Sequence, residues 1–183
     1  MGLGLIAAAV LIWLDRGVIA PKWSGPVLSP SFGRANDVAR YHAETFRVVR
    51  VIDGDTLDLD AADGGSSTTT VRLLGIDAPE MVDSEPMPMS FGREATELAR
   101  RLALGKQATV YLDERGDTRG PYGSLLAYLE LPDGAFLNET LVSEGCAHAD
   151  VHFPHSYYHK YRQLEAGARA LDKGLWQAVT RQP

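Results

Sequence analysis

Asp53-Gly54-Asp55-Thr56 sets two carboxylates on either side of a glycine, where one extended run turns into the next. About twenty residues later, "VRLLGIDAPE" brings Arg72, Asp77 and Glu80 into one short stretch, and Pro79 rules out a regular helix through it. If the runs pair as neighbouring strands, Asp55 and Asp77 converge at one rim of a sheet. Converging carboxylates can hold a hard cation such as Ca²⁺ or Mg²⁺ through oxygen, or supply a general base. An arginine in the same cluster suits a phosphate, which a guanidinium binds with two parallel hydrogen bonds. Metal, arginine and a spare carboxylate together point to phosphodiester hydrolysis. The plainer readings are an Asx-type turn at Asp53–Thr56 and a structural arginine–carboxylate network on the rim.

Five short runs must position these residues. "TFRVVRVID", "TLDLD", "TTTVRLLGI", "QATVYLDE" and "SLLAYLELPDG" read as strands, with Asp63-Gly64 marking a hairpin turn between the second and third. A helix is expected from Gly92 to Leu104, where Ala95, Leu98, Ala99 and Leu102 recur at helical spacing and Gly105 stops it. "LNETLVSEG" reads as a short helix opened by Asn138 as N-cap, and "YHKYRQLEAGARALDKG" as a last helix ending at Gly174. The expected fold is α+β and mainly β: a five-stranded OB-type barrel with three packed helices, since closure removes the edges that five strands would leave. The expected domain runs from 44 to 178, after a Pro-, Gly- and Ser-rich linker at 20–43 and before a tail at 179–183.

In order along the chain, "VIDGDT", "VRLLGIDAPE", "FGREA", "YG.LLAY", "PDG..LNE.LV.EG.A" and "E..AR....GLW" resemble the staphylococcal nuclease (thermonuclease) family, from about Phe46 to Trp176. The resemblance implies an OB-type barrel with three helices and a calcium-dependent nuclease acting on DNA or RNA. It implies that Asp55 and Asp77 ligate Ca²⁺ by side chain and Ala78 by its backbone carbonyl. Glu80 would be the general base and Arg72 the group that holds the phosphate. Asp53 would stand behind the ligands, and Tyr122 would lie beside the substrate phosphate. At one position the pattern breaks. The family's usual Tyr-Gly-Arg turn is Tyr122-Gly123-Ser124 here, with Pro121 where a basic residue is usual. A serine hydroxyl donates one neutral hydrogen bond and offsets no charge. Two expectations follow: a working nuclease with Arg119 or Arg115 reaching in from the preceding loop, or an impaired module of the same fold that binds nucleic acid without efficient cleavage.

Composition bounds the rest. The 183 residues are 45% apolar and 23% charged, with a net charge of -6, which excludes a broadly basic nucleic-acid-binding surface. Cys146 is the only cysteine, so neither an intrachain disulfide nor a thiolate cluster is possible. "MGLGLIAAAVLIWL" is uncharged throughout and fits an export signal or membrane anchor within residues 1–19, giving a secreted or membrane-attached protein. No obligate protein partner is implied. His148, His152, His155 and His159 have helical spacing that suits a metal, but Pro154 interrupts any one helix through them. Met81, Met87 and Met89 with Pro86 and Pro88 form an apolar loop that either flanks the cleft or buries against the barrel.

Overall fold

The computed structural model describes residues 33–80 and 91–177. The expected export segment, the first part of the linker, the methionine loop and the tail lie outside those residues.

Alternation along the strands makes the barrel. In β2 (Thr56–Leu59) and β3 (Thr69–Leu73), Leu57, Leu59, Val71 and Leu73 are buried, while Thr56, Thr70 and Arg72 are only partly covered. The two strands pair antiparallel with Thr56 opposite Arg72 and Asp58 opposite Thr70, so these four share the outer face. Their connection closes through a bridge between Asp63 and Ser66, with Gly64 and Gly65 both at positive φ. That is the geometry in which a two-residue hairpin turn follows the twist of its strands. β1 (Thr45–Val51) serves two neighbours. Its first half pairs with β5 (Gln107–Tyr111), its second with β2, and a register shift between Val48 and Arg50 marks the bend. β6 (Leu125–Glu130) completes the ring, antiparallel to β5 and parallel to β3, giving the closed order β1-β2-β3-β6-β5. This is the expected five-stranded OB-type barrel.

β6 is buried on both faces because helices cover its outer side. α3 (Leu137–Ser143) packs on β6, α4 (Tyr158–Ala170) brings Tyr161 against Tyr128, and α2 (Gly92–Ala103) packs against β1 and α3. Asn138 does not cap α3 as the sequence reading held; the N-cap residue is Phe136, which makes no side-chain cap bond. Fully buried, Asn138 accepts from the Leu129 amide and donates to the Leu74 and Ala127 carbonyls, tying the helix to the barrel backbone. A two-stranded ribbon, β4 (Ile76–Asp77) with β7 (His148–Ala149), lies beside the barrel.

A fourth helix, α1 (Arg34–Tyr41), occupies residues that composition assigned to the linker. The correction has a physical cause: Tyr41 enters the core and Asp37 is buried against Arg119, so the domain begins ahead of Glu44. Arg119 also pairs with Asp63 at 2.5 Å and lies over the Tyr41 ring. Removing one partner of a buried ionic group leaves the others uncompensated. Arg119→Gln is therefore expected to lower the unfolding free energy in a urea titration by about 3–5 kcal/mol. A loss under about 1 kcal/mol, the scale of an exposed ion pair, would contradict it.

Candidate active site

Asp55 reaches its place through the turn before β2. Its amide donates to Asp53 Oδ1 at 3.0 Å, an Asx-type turn, and its carbonyl accepts from Leu73, carrying the β2–β3 ladder one step further. Gly54 is needed here for space rather than for backbone freedom, since its φ is not positive. A Cβ at Gly54 would stand 2.6 Å from the Cβ of Ala78 and 2.8 Å from that of Ala95. Gly92 performs the same service at the start of α2, where a Cβ would meet the Pro79 and Glu80 carbonyls. The glycines thus let α2 and the turn close on the segment Asp77–Glu80.

Asp55, Arg72 and Asp77 are brought together. Arg72 Nη1 lies 2.9 Å from Asp55 Oδ1, and Nη2 lies 2.7 Å from Asp77 Oδ1. Asp55 Oδ2 accepts the Ala78 amide at 2.6 Å, and Thr56 Oγ1 donates to Oδ1 at 3.0 Å. Nothing in the sequence pattern singles out that threonine contact. Asp55 is 1% exposed, whereas the Asp77 side chain is 55% exposed, so one carboxylate anchors and the other faces solvent. Glu80 is exposed, two residues beyond Ala78.

Burial pushes the Asp55 carboxyl up to about 7. The Ala78 amide and Arg72 pull it down without cancelling that, and Asp53 adds to the rise. Carboxylate and carbonyl oxygens are donors that suit a hard cation. Asp55, Asp77 and the Ala78 carbonyl, the residues expected to hold Ca²⁺, are donors of this kind. Among the described residues no group of three or more His, Cys, Asp or Glu gathers as a metal cluster, so such a site would rest on two side chains and a carbonyl. With no metal bound, the stability this group contributes is present at low pH and is lost as pH rises through about 7. A cation needs the ionised form, so Ca²⁺ affinity measured by calorimetry is expected to fall about tenfold per pH unit below that value and to level off above it. Affinity independent of pH between 5 and 7 would exclude Asp55 as a ligand.

On the outer face of β2 and β3 lies a groove of about 560 Å³. Arg72 lines it and so belongs to both cluster and groove, and Thr56, Thr70 and Ser124 line it as well. Ser124 stands two residues before Leu126, the parallel partner of Arg72. Tyr122, 98% exposed, projects at the groove's edge, and Phe153 lines the wall. Arg119 is not part of the Asp55 cluster. Its guanidinium is held by Asp37, Asp63 and the Gly123 carbonyl, which answers the expectation that it reaches toward the phosphate. The four histidines point to different partners: His148 to Glu165 and Trp176, His152 to Asp150, His155 into a buried pocket beside Tyr128 and Tyr161, and His159 to Tyr158.

A family model described as "Staphylococcal nuclease homologue" matches residues 70–178. The chain is 31% identical over 176 residues to "Thermonuclease" of Staphylococcus hyicus, covering 96% of this chain and 95% of that protein. The chain belongs to the staphylococcal nuclease family. Other members of the family are similarly related. "Thermonuclease" of Staphylococcus intermedius is 31% identical over 73% of this chain and 77% of its own length. "Endonuclease YncB" of Bacillus subtilis is 33% identical over 69% of this chain and 59% of its own. Membership in the staphylococcal nuclease family places the chain among nuclease-type hydrolases.

Proposed function

We propose that the protein hydrolyses phosphodiester bonds of DNA or RNA with Ca²⁺ at the Asp55–Asp77 rim. The observation that carries the reading is one guanidinium, Arg72, shared by two carboxylates and opening onto a groove. Bound there by Asp55, Asp77 and the Ala78 carbonyl, Ca²⁺ would draw negative charge from the phosphate and neutralise what develops on it. Arg72 holds the phosphate from the groove side. Its planar fork already bridges two oxygens of different residues, the geometry a phosphate also offers. Glu80 takes the proton of the attacking water, directly or through an ordered water. Asp53 holds the backbone that carries Asp55. Tyr122 stands at the groove's edge for the strand that enters.

Ser124 supports a second reading, a module that binds nucleic acid and cleaves it inefficiently, because Arg119 is already occupied by Asp37 and Asp63. The two readings part on one experiment. Release of acid-soluble nucleotides from single-stranded DNA is measured with Ca²⁺ and with a chelator, in the unaltered protein and in Glu80→Gln. The nuclease reading expects release only with Ca²⁺ and a drop of about 10²–10⁴ in Glu80→Gln. Cleavage that persists unchanged in that variant removes Glu80 as base, and Ca²⁺-dependent binding without release favours the second reading. The apolar run at residues 1–14 belongs to the same proposal as an export or anchoring segment, supported by its composition.

A further inference from the structure

Two segments distant in sequence, and the turn that follows Arg119, meet at its guanidinium. Nε and Nη2 bind Asp37 of α1, while Nη1 binds Asp63 of the β2–β3 connection at 2.5 Å and the Gly123 carbonyl at 3.0 Å. The Thr118 hydroxyl adds a bond to Asp37 at 2.6 Å. Arg119, Asp37 and Asp63 are 10%, 1% and 11% exposed, so solvent screens little of this attraction.

The placement matters because Asp63 and Gly123 lie on the two lips of the groove, one on the hairpin and one on the turn. The turn closes on backbone bonds from Gly120 N–H to Ser124 O and Gly123 N–H to Gly120 O, with Leu126 N–H to Thr118 O at its base. Tyr122, between them, is almost wholly in solvent. A buried ionic group of this kind gives little net stability over an apolar one of the same shape, but its fixed fork geometry specifies where its partners sit.

We infer that Arg119 is a positioning residue for nucleic-acid binding. It sets the separation of the groove's two lips and, through Asp37, makes α1 part of the site's frame. This rests on the reading of the groove as the substrate channel. Electrostatics alone predict the opposite sign for one variant. Removing the negative charge of Asp63 should tighten binding of a polyanion, whereas loss of lip spacing should weaken it.

The test uses the full chain carrying Glu80→Gln to prevent cleavage, with and without Asp63→Asn or Arg119→Lys. Folding of each is checked by thermal melting. Binding of a fluorescein-labelled single-stranded oligothymidylate is read by anisotropy in Ca²⁺, and amide exchange is followed at Gly120 and Gly123. In Asp63→Asn, Kd is expected to rise about tenfold, short of the ~10²-fold that a 1 Å misplacement of reacting groups can cost. Exchange in the turn should quicken while Ca²⁺ affinity stays the same. Arg119→Lys, which cannot fork to both carboxylates and the carbonyl, should show the same pair of changes. In the cleavage-competent chain, KM should rise with kcat within about twofold. Tighter or unchanged binding in a folded Asp63→Asn overturns the inference, as does weaker binding with turn exchange unaltered. If the reference chain binds no oligonucleotide, the functional reading falls, and the exchange arm still decides whether Arg119 holds the turn.

Discussion

Arg72→Lys is expected to lower kcat/KM on single-stranded DNA by roughly 10³-fold or more, with a melting temperature close to that of the unaltered protein. An arginine acting on a transferring phosphoryl group is worth roughly 10³–10⁵ in rate. Lysine keeps the charge but presents it as a point, and it cannot span Asp55 and Asp77 at 2.9 and 2.7 Å together. The pairing that positions Arg72 is the β2–β3 ladder, which a side-chain exchange on the outer face leaves intact. Steady-state kinetics in saturating Ca²⁺ measure the effect. Activity within tenfold of the parent would show that the guanidinium serves only to bridge the carboxylates, and the catalytic role assigned to it would be withdrawn.

Ser124→Arg is expected to raise kcat by about 10²-fold, below the roughly 10³–10⁵ of an arginine evolved for its place. Ser124 and Leu126 lie two apart along one strand direction, on the same side, and Leu126 is the register partner of Arg72. An arginine at 124 therefore enters the groove that Arg72 already lines. Ser124→Gln, which adds length without charge, serves as the control and should stay near the parent. No gain in Ser124→Arg would mean that another cation already acts. Arg119 is committed to Asp37 and Asp63, so the exposed Arg115 on the same loop would be the next to replace.

Much of this was legible before any coordinates. "TLDLD" and "TTTVRLLGI" read as strands from the sequence, and β2 and β3 lie within them. Gly105 and Gly145 both sit at positive φ just beyond α2 and α3, as the helix stops had implied. The carboxylate–arginine cluster was legible because its members are near in sequence: Asp55 just precedes β2, Arg72 lies on β3, and Asp77 follows on β4. What escaped depends on partners far away in sequence. α1 hides in a Pro- and Ser-rich stretch, and Asp37 is buried only because Arg119, 82 residues on, meets it. The same distance misdirected the reading of Arg119, which in the sequence is simply a cation near a turn. Asn138 read as a cap because caps are local, while its three carbonyl and amide partners are not. Asp113 drew no attention at all, yet it accepts from Tyr128, from the backbone and hydroxyl of Ser156, and from the Arg115 amide.

The parallel pairing of β3 with β6 has a consequence for the order in which the molecule assembles. Asp55 and Arg72 come from a hairpin whose ends are close in sequence, so their half of the site can form early, by local contacts. The other wall, carried by residues 120–124, arrives only when Leu125–Ala127 zips onto Val71–Leu73 across some fifty residues of chain. That late seam must be ordered for a strand to be gripped, so a bound polynucleotide would favour the fully closed barrel over any partly zipped form and hold it by mass action. A nuclease built this way is most protected from unfolding while it is occupied.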